Sequence, residues 1–75
     1  MQTEKVKVSD LIEYRFNAKV HPDWQIEQIK KSIESYGYND LITIDENNTI
    51  IEGHGRLYAL QELGYDEIDV IRLTH

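Results

Sequence analysis

The stretch from residue 49 to residue 64, TIIEGHGRLYALQELG, decides the fold that the sequence predicts. Residues 49–51 are β-branched, which predicts a strand that ends near Glu52. The later leucines recur at helical spacing, which predicts a helix. Between them lie Gly53 and Gly55, which allow the backbone to take a positive φ or to approach a ligand closely. The pattern therefore predicts a strand that turns directly into a helix beginning at Gly55 or Arg56.

This turn predicts a binding site for an anion. The first N–H groups of a helix lack partners within it, and the helix dipole favours negative charge at that end. Arg56 adds a permanently charged guanidinium that can bind phosphate or carboxylate through two parallel hydrogen bonds. Phosphate is the expected ligand, with Gly53, His54, Gly55 and Arg56 as its expected contacts. The alternative is a structural tight turn in which Arg56 pairs with a nearby carboxylate and His54 is an exposed loop residue.

Two roles are open for Glu52, four residues before Arg56. It can orient or neutralise the guanidinium of Arg56, a role that a purely structural turn without a ligand would also explain. It can instead lie near a bound metal-phosphate group, which makes it the one weak candidate for a catalytic residue.

Other phosphate and metal motifs do not fit the turn. A Walker-type loop needs Lys followed by Ser or Thr, where this chain has Arg56 and Leu57, and a dinucleotide fingerprint needs a third glycine. Glu52 and His54 are too few for a transition-metal site even with His21, and the chain has no cysteine. No metal site is therefore predicted.

The charge of the chain argues against non-specific binding to nucleic acid. The net charge is −6. Residues 1–39 carry six acidic and six basic side chains, whereas residues 40–75 carry eight acids and only Arg56 and Arg72 as bases. Affinity for a nucleic-acid backbone depends on many Lys and Arg contacts. If the protein acts on DNA, another segment is expected to bind it.

The 75 residues predict one small domain. The chain has no disulfide framework, no apolar run long enough to span a membrane and no signal peptide, so we expect a cytoplasmic protein. It ends directly after a predicted strand, and we expect it to be one module of a longer protein.

The first half of the chain predicts a strand, a short turn and an amphipathic helix. Residues 5–8 alternate polar and apolar, and Ser9 is expected to cap a turn or short helix reaching Tyr14. A helix is expected over residues 22–36 and is ended by Gly37. Its predicted buried face consists of Ile26, Ile29, Ile33 and Tyr36. Salt bridges on its exposed face are expected from Glu27 to Lys31 and from Lys30 to Glu34.

The second half predicts a hairpin, the glycine turn, a second helix and a final strand. The β-branched residues 41–45 and 49–52 flank Asn47 and Asn48, which tolerate tight turns. The second helix is expected to bury Leu57, Ala59, Leu60 and Leu63 and to end at Gly64, and residues 68–73 form the last strand. The predicted fold is α+β, a small mixed β-sheet with packed helices. Trp24 and Tyr36 could stack a base but are expected to be core or helix-edge aromatics.

Several motifs occur together over nearly all of the chain. They are Asn17-Ala18-Lys19, His21-Pro22, QIEQIKKSI at residues 25–33, Gly37 before a hairpin, and IEGHGRLYALQELG at residues 51–64. In this combination the chain resembles the ParB/sulfiredoxin superfamily. It is most similar to ParB-like N-terminal (ParB-like nuclease) domains found in phage proteins and beside DNA methyltransferases.

The resemblance implies a ParB/sulfiredoxin-like fold in which the Gly-x-x-Arg turn at residues 53–56 holds the phosphates of CTP or ATP, with Mg²⁺. It also implies that Asn17, Lys19 and His21 line the opposite side of the pocket and that Ser32 lies on the helix behind it. The implied function is nucleotide binding in DNA modification or phage DNA handling. Whether the module forms a dimer is left open.

Three departures from the family pattern limit what the resemblance implies. Sulfiredoxins need a cysteine in the phosphate turn, so their repair chemistry is excluded. Partition-type ParB proteins carry two arginines where this chain has Gly55 and Arg56, and many relatives have proline at the position of Leu41. The third nucleotide motif would lie beyond residue 75, so any NTPase, nuclease or kinase activity is expected only with further segments.

Two other functions remain open from the sequence. One is a small kinase of the free-serine type, in which Glu13 or Glu52 would act as the base. The other is a non-enzymatic protein-interaction domain that uses the acidic second half as its surface.

Overall fold

The fold is a four-stranded mixed sheet with two helices, in a computed structural model that describes residues 2–16 and 21–74. The elements are β1 (Gln2–Lys7), a 3₁₀ turn (Val8–Asp10), α1 (Asp23–Tyr36), β2 (Ile42–Ile44), β3 (Ile50–Glu52), α2 (His54–Glu62) and β4 (Glu67–Arg72). The strand order is β1-β4-β2-β3; β4 runs parallel to β2 and the other neighbours are antiparallel. The predicted α+β class is confirmed. No helix in the described ranges is both long and apolar enough to cross a membrane.

The helix α1 forms over the predicted range with one error in its buried face. Ile26 and Ile33 are buried and Ile29 is partly buried against the core. Gly37 ends the helix with φ of 85°, and its N–H donates to Ile33 O at 2.8 Å. Tyr36 was predicted to be buried but is 78% exposed, because the last turn of α1 faces an open cleft rather than the core.

The predicted salt bridges along α1 are replaced by one that joins the two helices. Lys30 Nζ lies 3.1 Å from Glu27 and 3.2 Å from Glu62 on α2. The predictions of Glu27 with Lys31 and of Lys30 with Glu34 are therefore wrong. Lys30 faces α2, where Glu62 provides a second carboxylate, and the hydrogen bonds to both carboxylates raise its pKa.

The core lies between the helices and one face of the sheet. The hairpin forms as predicted and the second helix forms with its start one to two residues earlier, because the β-branched strand residues and the leucines of α2 bury their apolar faces together. Leu63 packs at the edge of this core. The side chains that are at most 1% exposed are Ile42, Ile44, Ile50, Leu57, Ala59, Leu60 and Val70.

The segment after β1 differs from its prediction. Only Val8–Asp10 form a 3₁₀ turn, which no side chain caps, so Ser9 is not a cap. Leu11 is already extended, and the backbone of Ile12 bonds with Asn48 O at 2.9 Å and with Ile50 N at 2.8 Å. These bonds hold residues 11–16 alongside β3, which is incompatible with a helix reaching Tyr14.

Glu4 and Arg72 predict an acid-sensitive contribution to stability. Arg72 donates from Nε and Nη2 to the two carboxylate oxygens of Glu4, at 2.7 and 2.9 Å. These bonds lower the pKa of Glu4 below its usual 4.5. The unfolded chain then binds more protons in this range, so the contribution is present above about pH 4.5 and is lost as pH falls through the lowered pKa.

We therefore expect Glu4→Gln to flatten the loss of stability in acid, as measured by urea denaturation over a pH series. The same substitution in an Arg72→Gln background should have a smaller effect. An equal effect in both backgrounds would contradict the assignment to this ion pair.

Candidate functional site

A cleft of about 790 Å³ opens beside the start of α2. Its walls come from five parts of the chain: Tyr14 and Phe16, His21, one side of α1, the connection at 37–40 between α1 and β2, and the turn at 51–56. The cleft therefore contains the glycine turn that the sequence singled out. Its volume lies in the range of pockets that bind small molecules, about 300 to 1,000 Å³.

Gly53 forms the sharp point of the turn. Its φ of 109° is in the left-handed region, and α2 begins directly after it, at His54 rather than at Gly55 or Arg56. A Cβ on Gly53 would lie 3.0 Å from Ile42 Cγ1 and 3.2 Å from Arg56 Nη1. Glycine is required here for both reasons, and it allows the guanidinium of Arg56 to lie over the turn at the positive end of α2.

Gly55 has a different role from the one predicted. It lies in the first turn of α2 and is not among the residues with positive φ in the described ranges. A Cβ at this position would lie 3.0 Å from Ile29 Cδ1 and 3.2 Å from His21 Nδ1. The close approach at Gly55 therefore brings α1 and the His21 ring against α2 on the side where a Cβ would lie.

Arg56 lines the cleft and pairs with Asp40 instead of the expected Glu52. Its Nη2 donates to Asp40 Oδ2, and the side chain of Asp40 is 81% exposed. Glu52 is exposed, lines the same cleft and forms no ion pair with Arg56 in the described structure. The expectation that Glu52 neutralises Arg56 is wrong, because the connection at 37–40 brings a nearer carboxylate to the guanidinium.

His54 is buried at the floor of the cleft, with 9% of its surface exposed. Its Nε2 accepts a hydrogen bond from the backbone N–H of Tyr14 at 3.2 Å. This bond ties residues 11–16 to the start of α2. The imidazole thereby positions one wall of the cleft.

His21 and Ser32 also line the cleft. His21 Nδ1 donates to Gln25 Oε1 at 2.8 Å, and its ring lies edge-on to Tyr58 at 5.7 Å. Within residues 2–16 and 21–74, its buried Nε2 has no hydrogen-bond partner. Ser32 is exposed on α1. Asn17 and Lys19, the other predicted pocket residues, lie outside the described residues.

Sequence reasoning missed most of the aromatic rings of the cleft. Tyr14 is 49% exposed and Phe16 is 65% exposed, and their rings meet edge to face at 5.7 Å. Tyr36 lines the cleft from the end of α1. No local pattern in the sequence marks these rings as exposed, because their exposure depends on how residues 11–16 pack against β3 and α2.

The cleft can bind a ligand that combines negative charge with a flat ring. Arg56 and the start of α2 offer hydrogen-bond donors to an anion, and the exposed rings offer stacking surfaces. Glu13, a candidate base, accepts a hydrogen bond from Tyr58 Oη and does not line the cleft; this bond raises the pKa of Tyr58. No group of three His, Asp or Glu side chains suited to a metal ion occurs in the described part of the chain.

Comparison with known proteins identifies two related sequences, although no family model matches. The chain is 36% identical over 77 residues to the ParB-like nuclease domain-containing protein YnaK of Escherichia coli (strain K12), covering 96% of this chain and 88% of that protein. It is 38% identical over 45 residues to the uncharacterized protein ORF326b of Acidianus two-tailed virus, covering 60% of this chain and 14% of that protein.

Solved structures with the same fold include ParB N-domains. The Pnob8-like ParB-N domain in its C2221 form has a TM-score of 0.84 and 24% identity, over 99% of this chain and 30% of that one. The C-terminally truncated chromosome-partitioning protein ParB from Caulobacter crescentus, complexed with CTP-γ-S, has a TM-score of 0.86 and 15% identity, over 100% of this chain and 46% of that one. The chain thus spans less than half of each solved chain, and the likeness shows the fold.

Proposed function

The chain belongs to the family of ParB-like nuclease domain proteins, and on that premise we propose that it is a nucleotide-binding module that holds CTP or ATP in the cleft at residues 51–56. The observation that carries the proposal is that one cleft contains both a guanidinium at a helix start and several exposed aromatic rings. Phosphate would bind the first and a base would stack on the second.

Three features suit the phosphate end of the cleft to an anion: the guanidinium of Arg56, the positive end of α2, and a carboxylate that already contacts the guanidinium. The guanidinium of Arg56 lies over Gly53, at the positive end of α2. A carboxylate, that of Asp40, already contacts it, which is the behaviour expected of a position that accepts anionic oxygen. We propose Gly53, His54, Gly55 and Arg56 as the phosphate site, with His54 acting through the wall that it positions and Gly55 through its backbone.

Two of the remaining predicted contacts, His21 and Ser32, line the same cleft. His21 presents a buried nitrogen without a partner among the described residues, which a polar ligand group could satisfy. Ser32 offers a hydroxyl from α1. We retain Asn17 and Lys19 as proposed contacts by resemblance. Mg²⁺ would arrive with the phosphates, because the described residues offer no ligand set of their own.

The structural neighbour that favours CTP is the Caulobacter crescentus ParB complexed with CTP-γ-S. From the resemblance to ParB-like domains of phage proteins and of proteins beside DNA methyltransferases, we propose that this module acts in DNA modification or phage DNA handling and that a further segment contacts DNA. Its net charge of −6 supports the second point, since a DNA-binding surface needs a cluster of basic side chains.

Arg56→Ala tests the phosphate site. We expect affinity for Mg²⁺-CTP or Mg²⁺-ATP to fall by about 10- to 100-fold, because a charge-assisted hydrogen bond contributes about 1.5 to 3 kcal/mol. Loss of the ion pair itself should change stability by less than about 1 kcal/mol, since its Asp40 partner is 81% exposed. Isothermal titration and thermal denaturation measure the two effects.

Lys31→Ala is the matched control, because Lys31 is an exposed cation of α1 that does not line the cleft. It should leave nucleotide affinity unchanged. A similar loss in both variants would indicate general electrostatics instead of a site. Binding of no nucleotide by the wild type would favour a protein-interaction domain, and phosphate transfer only with added serine would favour a kinase.

A further inference from the structure

We propose that Asp40 is an internal competitor for the ligand: its carboxylate occupies the position on Arg56 that a phosphate would take, and binding displaces it. This inference deepens the proposed function and rests on it, because both place the anionic oxygens of the ligand at Arg56. Asp40 would thereby set how tightly the cleft binds its anionic ligand.

The guanidinium has a fixed position, so its partner marks where an anion meets it. Arg56 Nη1 lies over Gly53, only 3.2 Å from where a Cβ would be, and Nη2 donates to Asp40 Oδ2. The Arg56 side chain is 24% exposed. An incoming phosphate oxygen would meet a guanidinium that is already bonded to a carboxylate.

The backbone on both sides of Asp40 is anchored, whereas its side chain is not. Two residues earlier, half-buried Tyr38 packs against the core, and its Oη accepts the N–H of Ile42 at 2.9 Å. Two residues later, Ile42 is fully buried. The side chain of Asp40 is 81% exposed. The carboxylate is thus delivered to Arg56 by a fixed segment and can rotate into solvent without disturbing the core.

The charge of the cleft gives this carboxylate a direct effect on affinity. Among the described lining residues, the side chains counted as charged at neutral pH are Asp40, Glu52 and Arg56, and their formal charges sum to −1. A polyphosphate would therefore be repelled by Asp40 as well as having to replace it. Asp40→Asn removes the repulsion, weakens the competing bond to a neutral one and leaves the shape of the side chain nearly unchanged.

The test is titration of sodium tripolyphosphate and of Mg²⁺-CTP into the wild type, Asp40→Asn and Asp10→Asn. Asp10 is the matched control because it is exposed and lies outside the cleft. We expect Asp40→Asn to bind about two- to fivefold more tightly, the range that corresponds to an exposed ion pair. The difference should shrink near 0.5 M salt, at roughly which concentration exposed charges are strongly screened. Asp10→Asn should match the wild type.

The outcomes separate this inference from the proposed function. Equal or weaker binding by Asp40→Asn overturns the inference, and the proposed function stands if the wild type binds the nucleotide. If neither protein binds the nucleotide but Asp40→Asn binds tripolyphosphate more tightly, the proposed function fails and the competitor role of Asp40 stands. If no protein binds either probe, both are overturned. Binding of tripolyphosphate that persists in Arg56→Ala would also overturn the inference.

Discussion

Leu60→Ala is expected to lower the free energy of unfolding by about 2 to 5 kcal/mol, as is typical when a fully buried leucine leaves a cavity. Leu60 is 0% exposed and lies in the face of α2 that packs on the core. A domain of 75 residues has a total stability of about 4 to 11 kcal/mol. The substitution should therefore remove a large share of it and leave part of the population unfolded at 37 °C.

Urea denaturation followed by circular dichroism measures this effect, with Leu73→Ala as the control. Leu73 is 42% exposed, so its truncation should change stability by less than about 0.5 kcal/mol. Similar midpoints for the two variants would mean that α2 is not packed as described here.

Gly53→Ala is expected to destabilise the fold by about 2 to 6 kcal/mol through two effects that add. A non-glycine residue held at positive φ costs about 1 to 3 kcal/mol. The new Cβ would lie 3.0 Å from Ile42 Cγ1 and 3.3 Å from Ile42 Cα, and overpacking of a core costs a further 1 to 3 kcal/mol or so. Since Arg56 Nη1 is also crowded, nucleotide affinity should fall.

Gly64→Ala separates the two effects. Gly64 also has a positive φ, of 81°, but a Cβ there would meet nothing within 4 Å. It should cost about 1 to 2 kcal/mol, the backbone term alone. If thermal denaturation gives the two alanine variants the same stability, the predicted clash with Ile42 is absent.

The sequence predicted the elements whose residues repeat with a clear period or carry a clear stop. The spacing of the leucines predicted the buried face of α2, and Gly37 predicted the end of α1. Asn48, with its φ of 67°, lies where the hairpin turn was expected. In each case the local pattern and the tertiary fold favour the same structure.

Apart from the exposure of Tyr36 and the missing cap at Ser9, the errors concern contacts between segments that no local period relates. Asp40 and Arg56 are 16 residues apart, and Asp40 lies in a connection without regular structure. Lys30 pairs with Glu62 because α1 and α2 pack together, and i to i+4 spacing within one helix cannot reveal a contact between two helices. Position 55 needs glycine because the ring of His21 packs closely against it, which is again a tertiary contact. The glycine turn was located from sequence, whereas its anionic partner was not.

The central position of β4 has a consequence for biosynthesis. This strand, at residues 67–72, lies between β1 and β2, so the sheet cannot close until nearly the whole domain has left the ribosome. Pairing the first strand with the last also gives many contacts of high sequence separation, which slows folding. Nascent chains that lack β4 would leave apolar core surface exposed and would be prone to aggregate until β4 has emerged from the ribosome.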